Sequence, residues 1–216
     1  MDKKIAKLHY LTQDDIADAN HIDLVQEACN AGIRWIQLRI KKLPSDSLED
    51  RNALIDIALK IKNICKKHQT TFIINDYVDV AKQVKTDGIH LGKKDMSPME
   101  ARKILGNDSI IGGTANTFKD ILRLYNEGVD YIGLGPFKFT STKKNLSPVL
   151  GIEGIQNIIQ KCKECKITIP IIAIGGIIVE DVPSILNTGV YGFAVSGAIN
   201  YAEDRKTTIK NFLHYS

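Results

Sequence analysis

The chain has 216 residues, 44% hydrophobic and 25% charged, the make-up of a globular protein with one sizeable core. Its 29 Lys and Arg exceed its 25 Asp and Glu by four. That excess is scattered, suits anionic small molecules, and comes with no RNA- or DNA-binding motif. No apolar segment approaches the about 18 residues that a membrane helix needs. Met1-Asp2-Lys3-Lys4 leads into alternating residues rather than a signal-peptide core. The expectation is a cytoplasmic protein with no nucleic-acid and no membrane partner, and with its oligomeric state open to a homo-oligomer.

In chain order, Lys7 to Leu11 alternates apolar and polar residues and predicts a first strand. A helix follows towards Asn30, with Gly32 set to end it. Ile33 to Lys41 has a period of two. Gln37, Arg39 and Lys41 share one face, and Ile36, Leu38 and Ile40 share the other. In a barrel the polar face would line a mouth, whereas in an open sheet the same pattern would mark an exposed edge. Leu43 to Ser47 reads as a turn and cap before an amphipathic helix from about Leu48 to His68.

Thr71 to Asp76 predicts a buried strand that stops at the polar pair Asn75-Asp76. A short helix from Val78 to Val84 precedes a fourth strand, Gly88-Ile89-His90-Leu91-Gly92, with Asp95 just beyond. His90, inside a short strand, reads as a packed core residue. Ser97-Pro98-Met99-Glu100 carries an N-cap, a proline at the first helical position and a capping-box glutamate. Ser109 to Thr114 is a fifth strand, with Asn116 close behind, and a helix runs from Thr117 to near Gly128.

Tyr131-Ile132-Gly133-Leu134 is a sixth apolar strand, broken at Gly135-Pro136. The loop that follows, through Thr140, Ser141, Thr142 and Lys143, is dense in hydroxyls and ends on a cation. Hydroxyl donors beside a compact positive charge suit a phosphate group. A solvated surface loop would carry the same residues. A helix from Ile152 to Lys163, a seventh strand from Ile169 to Gly176, a helix from Glu180 to Gly189 and an eighth strand from Gly192 to Gly197 complete the pattern, with a last helix from Tyr201. Of the four cysteines only Cys162 and Cys165 show a suggestive spacing. No second pair completes a zinc site, so reduced structural thiols are expected.

Eight strands alternating with helices, with no dividing linker, predict an α/β chain forming one (β/α)8 TIM barrel over residues 1–216. A doubly wound open sheet is the alternative. Gly175-Gly176 after strand seven and Ser196-Gly197 after strand eight fall where such barrels bind phosphate. In a barrel, Asp76 and Asp95 follow adjacent strands, so their carboxylates can share one Mg²⁺ together with substrate phosphate oxygens. A solvated Asp95 ahead of a helix remains the competing reading. A metal beside Arg39, Lys41 and Lys143 suits a diphosphate, and a second phosphate at the glycine corner implies two substrates or one bisphosphate.

These motifs, in this order, resemble the thiamine-phosphate synthase family: Gln37-Leu38-Arg39-Ile40-Lys41, Ile74-Asn75-Asp76, Gly88 to Gly92 with Asp95, Gly135-Pro136 through Lys143, Ala173-Ile174-Gly175-Gly176 and Val195-Ser196. The resemblance implies an enzyme that joins hydroxymethylpyrimidine diphosphate to a thiazole phosphate. Pyrophosphate leaves first, and the thiazole nitrogen captures the pyrimidine cation. It implies that Gln37, Arg39, Lys41, Asn75, Thr114 and Lys143 hold the pyrimidine diphosphate, and that Asp76 and Asp95 carry Mg²⁺. Thr140 to Thr142, Gly176, Val195 and Ser196 would hold the thiazole phosphate, with Leu38, Ile40 and Gly175 counted in the binding set from the same motifs. Arg39, Lys41, Lys143 and Thr114 would carry the catalysis. Where the family often has serine and then histidine after strand five, this chain has Thr114 and Asn116. Asparagine cannot transfer protons as a base, which argues against the related thiazole tautomerases. A binder without turnover, or a generic phosphosugar barrel enzyme, are the other readings.

Overall fold

The computed structural model describes residues 3–14, 16–40, 47–139 and 148–216. Parallel strands β1 (Leu8–Leu11), β2 (Trp35–Leu38), β3 (Thr71–Asn75), β4 (Gly88–Leu91), β5 (Ile110–Ala115), β6 (Tyr131–Leu134), β7 (Ile171–Ile174) and β8 (Gly192–Val195) pair in sequence order. β8 returns to β1, pairing Leu8 with Phe193 and Tyr10 with Val195. The sheet is therefore a closed barrel, not an open doubly wound sheet, and β2 has no free edge.

The two-residue period of each strand separates two cores. Inward residues Leu11, Trp35, Ile73, Ile110, Tyr131, Ile172 and Ala194 pack with Ile5 inside the barrel. Outward residues, among them Ile36, Leu38, Phe72, Ile74, Ile132, Phe193 and Val195, pack against the surrounding helices. Most helices of the first two thirds of the chain begin where their capping residues stand. On α1 (His21–Ala31) the Asn20 side chain accepts from two backbone N–H groups at the start, and Gly32 closes the end at φ 110°. Helix α2 (Leu48–Lys67) starts on Ser47, whose side chain accepts from Asp50 N. After α3 (Val78–Val84), helices α4 (Pro98–Leu105) and α5 (Phe118–Asn126) both open on reciprocal capping boxes, Ser97 with Glu100 and Thr117 with Asp120.

The closing third runs through α6 (Gly151–Glu164), a 3₁₀ turn (Val179–Asp181) and α7 (Val182–Leu186). Past β8 the chain forms α8 (Gly197–Asn200) and then α9 (Arg205–Leu213). The last helix was expected from Tyr201, but a separate short helix occupies 197–200. At the N-terminal end of the barrel, Asp130 accepts from Lys3, Arg102 and Ile111 N, which ties the segment bearing Ile5 across the barrel bottom. Among the described residues no helix is long and apolar enough to cross a membrane. The four cysteines are free thiols, with Cys162 buried and Cys165 exposed.

Candidate active site

The C-terminal ends of the strands surround one cavity with two lobes that share Leu11, Arg39, Thr114, Ile174 and Ala194. The larger lobe, about 520 Å³, adds His9, Gln37, Asn75, Asp76, His90, Asp95, Tyr131 and Gly133. The smaller, about 190 Å³, adds Asn116, Pro136, Gly175, Gly176, Ile177, Ser196, Gly197 and Ala198.

On the larger lobe's rim, Asp76 follows β3 at φ 67°, a left-handed conformation that Asp and Asn tolerate better than other side chains. Its backbone N–H donates to the His90 carbonyl at 2.9 Å. Asp95, just past β4, accepts from Gly92 N at 2.6 Å and shares a hydrogen bond with Asp76. Burial, then the bond to Asp95 and its charge, push the Asp76 carboxyl up to about 7, against the pull of Arg39 and Asn75. Two carboxylates held this close repel when both are ionised, and a cation between them removes that cost. Among the described residues no third His, Cys, Asp or Glu completes the set. The pair thus offers two hard oxygen donors and leaves the remaining positions to water and phosphate, the donor set that suits Mg²⁺.

Arg39 lines both lobes. Its backbone N–H donates to the buried Thr12 hydroxyl at 3.1 Å, so the residue is fixed just as β2 ends. Burial lowers its basicity, and Asp76 and Asp14 partly restore it. Gln37, one step deeper on the same face, is 3% exposed and lines the larger lobe beside Tyr131.

The smaller lobe is built by close backbone approach. A Cβ on Gly175 would lie 2.8 Å from Pro136 Cα, and one on Gly176 would lie 2.9 Å from the Phe139 carbonyl oxygen. Both glycines have positive φ, 112° and 68°, so the loop after β7 can fold over the loop after β6 only without side chains. Ser196 and the first residues of α8, Gly197 and Ala198, complete a corner of hydroxyl and helix-start N–H groups. Asn116 Nδ2 donates to the Gly135 carbonyl, so this side chain braces the loop and is no base.

Most of the expected site residues within the described stretches meet in this cavity: Gln37, Arg39, Asn75, Asp76, Asp95, Thr114, Gly175, Gly176 and Ser196. Three do not. Leu38 and Val195 are 1% and 2% exposed within the outer core, and Ile40 packs against it. They alternate with the inward residues of their strands, so a motif read as a block carried both faces. Lys41, Thr140, Ser141, Thr142 and Lys143, with the turn at 43–46, lie outside the described residues. Sequence reasoning missed His9, Leu11, Tyr131, Ile174 and Ala194, and took His90 for core. The inward register of each strand was the signal that could have found them.

Comparison with known proteins agrees with this geometry. The family described as thiamine monophosphate synthase matches residues 8–199. The chain is 47% identical to the thiamine-phosphate synthase of Phocaeicola vulgatus, over 99% of this chain and all of the relative. It is 49% identical to that of Bacteroides thetaiotaomicron, over 87% of each chain. Among solved structures, thiamine phosphate pyrophosphorylase from Pyrococcus furiosus superposes with a TM-score of 0.83 at 30% identity, covering 97% of this chain and 94% of that one. Carboxylate pair, interior polar set and glycine corner on one barrel face, together with these matches along the whole barrel, make the chain a member of the thiamine-phosphate synthase family.

Proposed function

We propose that this enzyme forms thiamine phosphate by joining hydroxymethylpyrimidine diphosphate to a thiazole phosphate, with pyrophosphate as the leaving group. The observation that carries the reading is the two-lobed cavity, with a carboxylate pair beside Arg39 in one lobe and a glycine–serine corner in the other. Asp76 and Asp95 would hold Mg²⁺, which when bound supplies positive charge against the departing diphosphate. Arg39 adds a cation at the junction of the lobes, and Lys41 and Lys143 are proposed to complete the set. Gln37 and Asn75 orient the pyrimidine end, where their amides are buried and can hydrogen-bond a heterocycle edge.

The second phosphate sits at Gly176, Ser196 and the start of α8, with Thr140 to Thr142 contributing hydroxyls. Leu11, Ile174, Ile177 and Ala194 give the thiazole ring an apolar wall and keep water from the reacting carbon. Positioning two substrates in one enclosure and stabilising the leaving group suffice for a dissociative transfer, so no protein nucleophile is needed. Incubation with both substrates and Mg²⁺, and with each omitted in turn, tests the reading. Thiamine phosphate should appear only when both are present. Its absence from the complete mixture would refute the assignment of substrates.

A further inference from the structure

Inside the larger lobe a chain of polar side chains, Tyr131 and His90, leads to Thr114. The Tyr131 hydroxyl lies 3.0 Å from His90 Nδ1, and His90 Nε2 lies 3.0 Å from Thr114 Oγ1. Two interior glycines make room for it. A Cβ on Gly112 would fall 2.2 Å from Tyr131 Cζ, and one on Gly133 would fall 3.2 Å from His90 Cε1. Tyr131 is 1% exposed and its ring is wedged edge-on against Trp35, at 5.4 Å between centroids. The hydroxyl therefore cannot swing away to another partner.

The buried Tyr131 hydroxyl pairs with His90 Nδ1, and a phenol that only accepted there would bury its own hydrogen unpaired, which gives the chain a direction. Tyr131 therefore donates its hydroxyl hydrogen to His90 Nδ1. A neutral imidazole that accepts at Nδ1 carries its hydrogen on Nε2. His90 then donates to Thr114, and the one hydroxyl hydrogen of Thr114 is left to point into the cavity, where Thr114 lines both lobes.

We propose that Tyr131 and His90 are positioning residues that hold Thr114 as a hydrogen-bond donor aimed at a phosphate oxygen of the leaving diphosphate. Without the relay, Thr114 could turn its hydrogen towards His90 and present only lone pairs to an anion, which would repel it. The inference rests on the reading under Proposed function for the identity of that anion, but the direction of the relay can be read without any substrate.

The direct test is the ¹⁵N NMR signature of the His90 ring in the unliganded protein, assigned by difference with His90→Gln. The hydrogen is expected on Nε2, and a ring protonated only at Nδ1 would overturn the proposal whether or not the enzyme turns over. The kinetic test is a double-mutant cycle. Thr114→Val should cost about a hundredfold in kcat, the scale of one lost donor to a developing anion, while Thr114→Ser keeps most of the rate. Tyr131→Phe keeps the ring packing and should lower kcat about tenfold with little change in KM for the diphosphate. Added to Thr114→Val, it should cost nothing further. Full additivity of the two, or a Tyr131→Phe enzyme as fast as the parent, would show that Tyr131 does not act through Thr114. Inactivity of the parent with these substrates would instead count against the substrate reading and leave the NMR result standing.

Discussion

Replacing Asp76 by asparagine should make the metal-free protein more stable and the enzyme nearly inactive. Asparagine tolerates the φ of 67° at this position and has nearly the same shape, so the substitution removes the charge and little else. In the folded chain the Asp76 carboxyl is raised from 3.8 to about 7. A carboxyl raised on folding lends stability below its unfolded value and loses it as pH climbs through the folded one. The metal-free parent should therefore weaken between about pH 4 and pH 7. A shift of about three units, at about 1.4 kcal/mol each, bounds the loss near 4 kcal/mol, and sharing of the proton with Asp95 brings it to about 2–4 kcal/mol. Urea denaturation followed by circular dichroism in a chelating buffer reads this directly. At pH 8 the Asp76→Asn protein should be about 2–4 kcal/mol more stable than the parent, a rise of roughly 5–10 °C in Tm, and at pH 4 the two should coincide. Mg²⁺ should raise the Tm of the parent at pH 8 and leave the variant unmoved, and turnover of the variant should fall at least about a hundredfold. A variant less stable than the parent at pH 8 without metal would refute the argument that the two carboxylates strain one another.

Two further predictions concern the barrel floor and the glycine corner. Burial pushes the His9 imidazole down to about 3, so the unfolded chain takes up a proton below about pH 6.5 that the folded chain refuses. Stability should fall by about 2–3 kcal/mol from pH 7 to pH 4.5 through this group. His9→Phe, which keeps the stack on Trp35 at 4.2 Å, should flatten that acid limb in a pH series of denaturation midpoints, and an unchanged limb would put the acid sensitivity elsewhere. Gly176→Ala meets the Phe139 carbonyl at 2.9 Å and a φ of 68°. It should cost about 1–2 kcal/mol in stability and raise KM for the thiazole phosphate well above any change for the diphosphate. Equal effects on both KM values would mean that the corner does not hold the second phosphate.

The barrel was legible because its signals are local. Apolar strands that stop at Asn75-Asp76 or Gly175-Gly176, and capping boxes at Ser97 and Thr117, mark element ends without reference to distant contacts. Barrel closure was less so, since the alternation in Gln37 to Lys41 fits an edge strand equally well until β1 and β3 are seen on either side. Face assignment explains the remaining differences. Leu38, Ile40 and Val195 sit beside site residues in sequence and point away from them in space, whereas His90 and Tyr131 lie in apolar runs yet turn inward. Their hydrogen bonds cross 41 and 24 positions of sequence, so no local pattern could have disclosed them. The helix at 197–200 escaped notice because four residues are too few to show a period.

The proposed reaction needs both substrates in one cavity, with the metal held by the Asp76–Asp95 pair. Pyrophosphate and thiamine phosphate measured together, in the presence of both substrates and across a Mg²⁺ titration, test that claim most directly. The two products should appear in equal amounts at every metal concentration, with release abolished by chelation or by omitting the thiazole phosphate. Pyrophosphate formed at an undiminished rate without Mg²⁺ would contradict the role of the carboxylate pair. Bound substrates that raise the Tm but yield neither product would contradict the reaction itself.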